Sequence, residues 1–205
     1  MMSNVNEEIP LQTTCVTDAG TRSYASLQWF PMYVSYSREL EVQKALNDVN
    51  VKNYIPMVRI TEKRGRKIIH RLQPALHNLI FVYSNRTQLR ELKMYNRGCV
   101  PMQYMTIKPR MADQSSVVIT IPDSEMQNFM RAMNVEGEDD HRTFLPYTDF
   151  LGKEGRVVEF LNGPFKGIQG TLKRINKNRF VVIVLKHIGA LAITIDHSSN
   201  LRILE

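Results

Sequence analysis

A chain of 205 residues accommodates one large or two modest domains and buries a proper core. Its 43% hydrophobic and 23% charged residues are the proportions of an ordinary globular protein, and no run approaches the ~20 apolar residues of a membrane-spanning helix. The formal charge of +7 permits an anionic partner without establishing one.

The basic surplus is uneven. From Phe150 onward nine Lys/Arg stand against four Asp/Glu, a surplus of five, and the preceding 149 residues supply the other two. Cys15 and Cys99 are far apart and in unlike contexts, which predicts reduced thiols in a cytoplasmic protein rather than a disulfide framework. Residues 1–26 are polar, rich in Thr and Ser, and lack the basic-then-apolar pattern of a signal peptide. They read as a flexible leader.

The aromatic and β-branched run 29–36 predicts a strand, in which Pro31 removes one ladder donor. Ser37 then offers an N-cap, with Glu39 in the first turn. Val42, Ala45, Leu46 and Val49 follow at i, i+3, i+4 and i+7, the spacing of an amphipathic helix. A strand returns over 54–60. In the stretch 59–71, Arg59, Lys63, Arg64, Arg66, Lys67 and Arg71 face Glu62 alone, with Gly65 in the middle, so a hairpin with a basic tip is expected. Charge of this kind serves solubility or contact with nucleic acid, and the pattern does not choose.

Residues 79–83 read as a buried strand, 86–95 as a short helix carrying Leu89 and Leu92, and 102–107 as another strand. The segment 117–121 leads through Pro122-Asp123 into a helix with Met126, Phe129, Met130 and Met133 at helical spacing, a stripe that suits core packing. Strand and helix alternate in a way that implies helices against a mainly antiparallel sheet. Residues 135–149 break the pattern: Glu136, Glu138, Asp139 and Asp140 form an acidic run without the ligand spacing of a calcium loop. The run reads as a linker between domains.

Beyond it, 156–160, 171–175 and 180–185 are strand-like, and Gly163-Pro164, Gly167 and Gly170 mark a tight connection between the first two. Asn176-Lys177-Asn178 supplies a second turn. Close-spaced short strands predict a small barrel, and 180–185 is too β-branched to favour a helix. The whole chain is therefore expected to be α+β. It comprises a leader (1–26), an N-terminal α/β sandwich (27–134), a linker (135–149) and a C-terminal SH3-like β-barrel (150–205). Signs of an enzyme are missing. The histidines at 70, 77, 141, 187 and 197 have no ligand-type partner at helical spacing, and no CxxC, GxSxG, P-loop or dinucleotide fingerprint occurs.

Val157, Phe160, Gly163-Pro164-Phe165, Gly167 and Gly170 resemble the KOW motif of NusG-type transcription factors and some ribosomal proteins. Trp29-Phe30-Pro31-Met32-Tyr33 before its helix is similar to the opening of the NusG N-terminal domain. Pro74-Ala75-Leu76-His77-Asn78-Leu79-Ile80-Phe81-Val82 is similar to that family's Pro-x-Phe-Pro-Gly/Asn-Tyr-x-Phe-Val segment, with Leu76-His77 and Leu79 replacing Phe-Pro and Tyr. Ile121-Pro122-Asp123 resembles the start of its last helix. Arg38-Glu39-Leu40 and the 77–82 segment look closest to the UpxY-like branch, the antiterminators of capsular polysaccharide operons.

The resemblance implies a non-enzymatic antitermination and elongation factor without metal or cofactor. Tyr33, Leu76, Leu79 and Phe81 would form an apolar patch for the clamp helices of RNA polymerase's largest subunit. Arg86 and Thr87 would face the opposite side of the cleft. Arg38, Lys44 and Arg97 would lie near non-template DNA or nascent RNA. The KOW domain would recruit a small-subunit ribosomal protein or Rho, or touch RNA, through Phe165, Lys166, Lys173, Arg174 and Arg179, with Phe165 and Lys166 the exposed readers of the turn. It is expected to stay a β-barrel, unlike a relative whose KOW domain hides as a helical hairpin. The alternative is an RNA- or ribosome-binding KOW protein that does not touch polymerase.

Overall fold

The computed structural model describes residues 26–65, 67–108, 115–137, 141–147, 155–175, 178–195 and 199–204. Residues 1–25 of the leader, Arg66, Glu138, Asp139, Asp140 and the turn residues 176 and 177 lie outside this set.

Strand alternation sorts the N-terminal half into layers. In β1 (Gln28–Val34), Phe30, Met32 and Val34 belong to one core cluster, and Trp29 belongs to another. β2 (Asn53–Tyr54) and β5 (Leu79–Ser84) lie on one side of β1 and β6 (Met102–Tyr104) on the other, giving the antiparallel order β2-β5-β1-β6. Against one face pack α1 (Glu39–Asp48) and α2 (Arg86–Tyr95), through Val42, Leu46 and Leu89 on Phe30, Met32, Ile80 and Val82. Against the other packs α3 (Asp123–Met133), whose Met126, Phe129 and Met133 meet Trp29, Leu79 and Phe81. The methionine stripe is core. Trp29 Nε1 donates to Asp123 Oδ1 at 2.8 Å, which ties the start of α3 to β1.

Two small antiparallel pairs leave the sheet: β3 (Met57–Arg64) with β4 (Lys67–Pro74), and β7 (Thr106–Ile107) with β8 (Val117–Val118). The C-terminal part is a six-stranded antiparallel sheet. It contains β9 (Arg142–Pro146), β10 (Val157–Phe160), β11 (Gln169–Ile175), β12 (Asn178–Leu185), β13 (Gly189–Thr194) and β14 (Leu201–Ile203), in the order β14-β10-β11-β12-β13-β9. The fold is mixed α+β with antiparallel sheets, as expected, and the six-stranded sheet is compatible with an SH3-like barrel. At the connection before β11, Gly163 and Gly167 take φ of +75° and +78°, the left-handed region that glycine reaches without a Cβ clash.

Several local readings change, beginning with the strand expected over 102–107, which divides at Met105 into β6 and β7 in different sheets. The strand expected over 29–36 stops at Val34, because Tyr36 and Ser37 turn left-handed with φ of 63° and 51°. Ser37 does not cap α1: Arg38 is the N-cap residue, and the Ser37 hydroxyl faces Asn78 Oδ1 at 3.4 Å. The single strand expected over 54–60 divides into β2 and β3 at Ile55-Pro56, where proline has no N–H to give a ladder. Within 135–149, residues 142–146 form β9, paired with β13 from Ile193↔Arg142 to Gly189↔Pro146. β13 itself, a run of small and apolar residues between His187-Ile188 and Ile195, was not anticipated.

Candidate functional site

Tyr33, Leu79 and Phe81 share one face of the N-terminal sheet, because Tyr33 stands opposite Leu79 and Pro31 opposite Phe81 in the β1–β5 register. Leu76 joins them at the chain's entry to β5, half-buried against the same core. Their exposures differ sharply. Phe81 is 0% and Leu79 6% exposed, whereas Tyr33 is 44% exposed. Tyr33 lines an open cleft of about 580 Å³ with Tyr104, Lys108, Tyr147 and His187.

Leu79 and Phe81 belong to a core that α3 and the C-terminal sheet share. One cluster holds Trp29, Leu79, Phe81 and Phe129 from the N-terminal half and Val158, Phe160, Phe165, Ile168, Val181 and Ile183 from the other. Phe129 stacks edge-on to Phe144 of β9 at 6.3 Å and lies tilted over Phe81 at 5.9 Å. Polar contacts complete the seam. Asn128 Nδ2 donates to the Gln169 carbonyl at 2.6 Å, and the Gln169 N–H donates to Asn128 Oδ1 at 3.1 Å. Arg131 Nη2 donates to the Gly167 carbonyl at 3.1 Å. Buried Arg142 donates through Nη1 to the Ala132 and Met133 carbonyls, satisfying orphan acceptors at the end of α3. Burial raises the Tyr54 hydroxyl pKa against the opposing pull of Arg142, and that hydroxyl bonds Asn134 Oδ1 at 3.2 Å. Asn128, Arg131 and Arg142 were not singled out in the sequence. Arg142 stood in an expected linker, and isolated polar residues on a helix carry no pattern.

Arg86 and Thr87 sit exposed at the start of α2, where Asn85 caps the helix by accepting from Gln88 N–H at 2.8 Å. Arg38, Lys44 and Arg97 are also exposed. Arg38 Nε contacts Glu41 Oε2 at 2.6 Å. Gly98, next to Arg97, packs closely on α1: a Cβ added there would lie 2.5 Å from Ala45 Cβ. Beside Arg38, a latch fixes the turn: buried Glu39 accepts from the Asn78 N–H, and Asn78 Oδ1 accepts from the Ser37 N–H at 3.0 Å. The turn leaves Tyr36 89% exposed.

The C-terminal residues divide into two groups. Lys166 is exposed on the turn that meets α3. Arg174 and Arg179 face each other across β11–β12 at the other end of β11, and Lys173 stands opposite Phe180. Phe165 is not an exposed reader. It is 6% exposed, its ring 5.7 Å from that of Phe160, because the turn folds Phe165 inward along with Ile168. Among the described residues no cluster of three or more His, Cys, Asp or Glu side chains gathers, and no helix is long and apolar enough to cross a membrane.

Comparison with known proteins gives a family match. The family described as "Transcription termination factor nusG" matches residues 27–130, just over half of the 205-residue chain. The solved structure entitled "Domain interaction in Thermotoga maritima NusG" is similar at 14% identity and a TM-score of 0.41, over 88% of this chain and 98% of that one. No match was found among curated proteins.

Proposed function

The chain belongs to the NusG family, whose members are non-enzymatic transcription factors, and from that premise we propose that it binds RNA polymerase and acts as an antiterminator of specific operons. The operons are those of polysaccharide biosynthesis. Residues 27–134 form the polymerase-binding domain and 150–205 a KOW domain, joined by the 135–149 segment, in a cytoplasmic protein that needs no cofactor. The observation that carries this reading is the family match over 27–130, which spans the face bearing Tyr33, Leu76, Leu79 and Phe81.

The contact is apolar, with the clamp helices of the polymerase's largest subunit lying on that face. Arg86 and Thr87 hold the far side of the cleft, and Arg38, Lys44 and Arg97 lie along the non-template strand. The KOW domain recruits a small-subunit ribosomal protein or Rho, or touches nascent RNA, through Lys166, Lys173, Arg174 and Arg179. Leu79 and Phe81 share a core with the C-terminal sheet, so full docking requires that sheet to leave α3. Tyr33, already exposed, makes the first contact.

Capture of purified RNA polymerase by the full chain at moderate salt tests this. Tyr33→Asp is expected to weaken capture by about tenfold, roughly 1.4 kcal/mol. Asn128→Ala with Arg131→Ala, which removes the hydrogen bonds of the seam, is expected to strengthen it. A wild-type chain that captures no polymerase but binds RNA with a steep salt dependence would instead establish the RNA- or ribosome-binding reading.

A further inference from the structure

We propose that the β3–β4 ribbon is an arm for duplex DNA, its strands entering the major groove and its cations holding the flanking phosphates. The ribbon is a separate two-stranded sheet of eight register pairs, from Met57↔Pro74 at its base to Arg64↔Lys67 at its tip. Eight residues of strand span about 26 Å. The base is anchored: Met57 and Val58 pack against the two cores of the N-terminal half, and the Ala75 N–H bonds the Pro56 carbonyl at 2.8 Å. Beyond the base, Arg59 and Thr61 of β3 are exposed. On β4, Lys67 to Leu72 are all exposed.

Composition identifies the occupant. Over 59–71 six Lys/Arg accompany one carboxylate, Glu62, which lies 3.5 Å from Arg71. Residues paired directly across an antiparallel ribbon share a face. One face therefore carries the pairs Arg59–Leu72 and Thr61–His70, with Ile68 next to His70 along β4. Ile68 and Leu72 are 64% and 61% exposed, and between them Thr61 Oγ1 and His70 Nδ1 lie 3.1 Å apart. A protein-docking patch gathers apolar residues at a centre depleted of lysine. Here single apolar side chains alternate with polar ones beside the exposed cation Arg59, a pattern that fits a groove. The major groove of B-form DNA, ~12 Å wide, admits a two-stranded β-ribbon and offers thymine methyls to Ile and Leu and base-edge acceptors and donors to Thr and His. The A-form RNA major groove is too narrow for one.

The inference stands apart from polymerase binding, and one experiment separates them. Fluorescence anisotropy of the full chain would use a labelled DNA duplex of about 20 bp, the matching single strand and the matching RNA duplex, from about 50 to about 200 mM salt. Arg59→Glu with Lys67→Glu is expected to weaken duplex DNA binding by at least about tenfold and to flatten the logarithmic salt slope by about two. Ile68→Ser with Leu72→Ser is expected to weaken it about threefold to tenfold with the slope unchanged. All four positions are exposed, so melting temperatures should stay at the wild-type value, and polymerase capture should be unaltered in both variants. Wild-type affinity in the charge-reversed variant, or equal affinity of the wild type for RNA duplex or single strand, would overturn the groove assignment. So would loss of polymerase capture in Ile68→Ser with Leu72→Ser without any DNA binding by the wild type, which would make the arm a protein-docking element.

Discussion

At the residue scale, burial decides which chemistry a side chain retains. Cys99 is fully buried and burial raises its thiol pKa, so the reactive thiolate is scarce in the folded state. Alkylation followed by peptide mapping should leave Cys99 unmodified in the native protein and label it in denaturant; rapid native labelling would contradict its burial. The sign for stability follows. The unfolded chain ionises this thiol first, so the contribution is present below the ordinary thiol range and fades as pH climbs through it. Phe129 shows the other side of burial. Its ring touches those of Tyr54, Phe81 and Phe144, joining β2, β5, α3 and β9 at one point. Phe129→Ala should cost about 3–5 kcal/mol in denaturant unfolding.

At the element scale, the start of β11 is governed by close packing. A Cβ at Gly170 would lie 2.6 Å from Val181 Cγ1 and 2.9 Å from the Val182 carbonyl oxygen, both in the paired strand β12. Gly170→Ala should therefore destabilise by about 1–3 kcal/mol, with Tm falling roughly 2–4 °C for each. An unchanged Tm would mean that β12 gives way freely. The latch of Ser37, Glu39 and Asn78 belongs to the same scale. It holds two successive left-handed residues, Tyr36 and Ser37, in a turn that a repeating strand pattern gives no hint of.

At the scale of the whole molecule, the seam between α3 and the C-terminal sheet joins two regions that look separable in sequence. Its stability rests on the shared apolar cluster and a few hydrogen bonds, each worth about 1 kcal/mol net. Asn128→Ala with Arg131→Ala should accelerate hydrogen exchange at the Gln169 amide while leaving the amides of β1 and β5 protected. Equal acceleration throughout would indicate general destabilisation instead. The same variant serves in the polymerase capture, so exchange and capture together separate a released sheet from an unfolded one.

Periodicity and turn chemistry made much of this protein legible. The alternation in β1 and β5, the stripes of α1 and α3, and Gly163 and Gly167 are local patterns, and local patterns report local structure. The family motif segments were equally visible, because they are contiguous. Contacts between distant segments were not. Nothing in the sequence shows that Phe165 turns inward, that 142–146 pairs with β13, or that Leu79 and Phe81 share a core with the other half of the chain. Sequence patterning indicates which faces are apolar; only tertiary packing decides what each face is buried against, since hydrophobic burial is non-directional and selects no partner by itself.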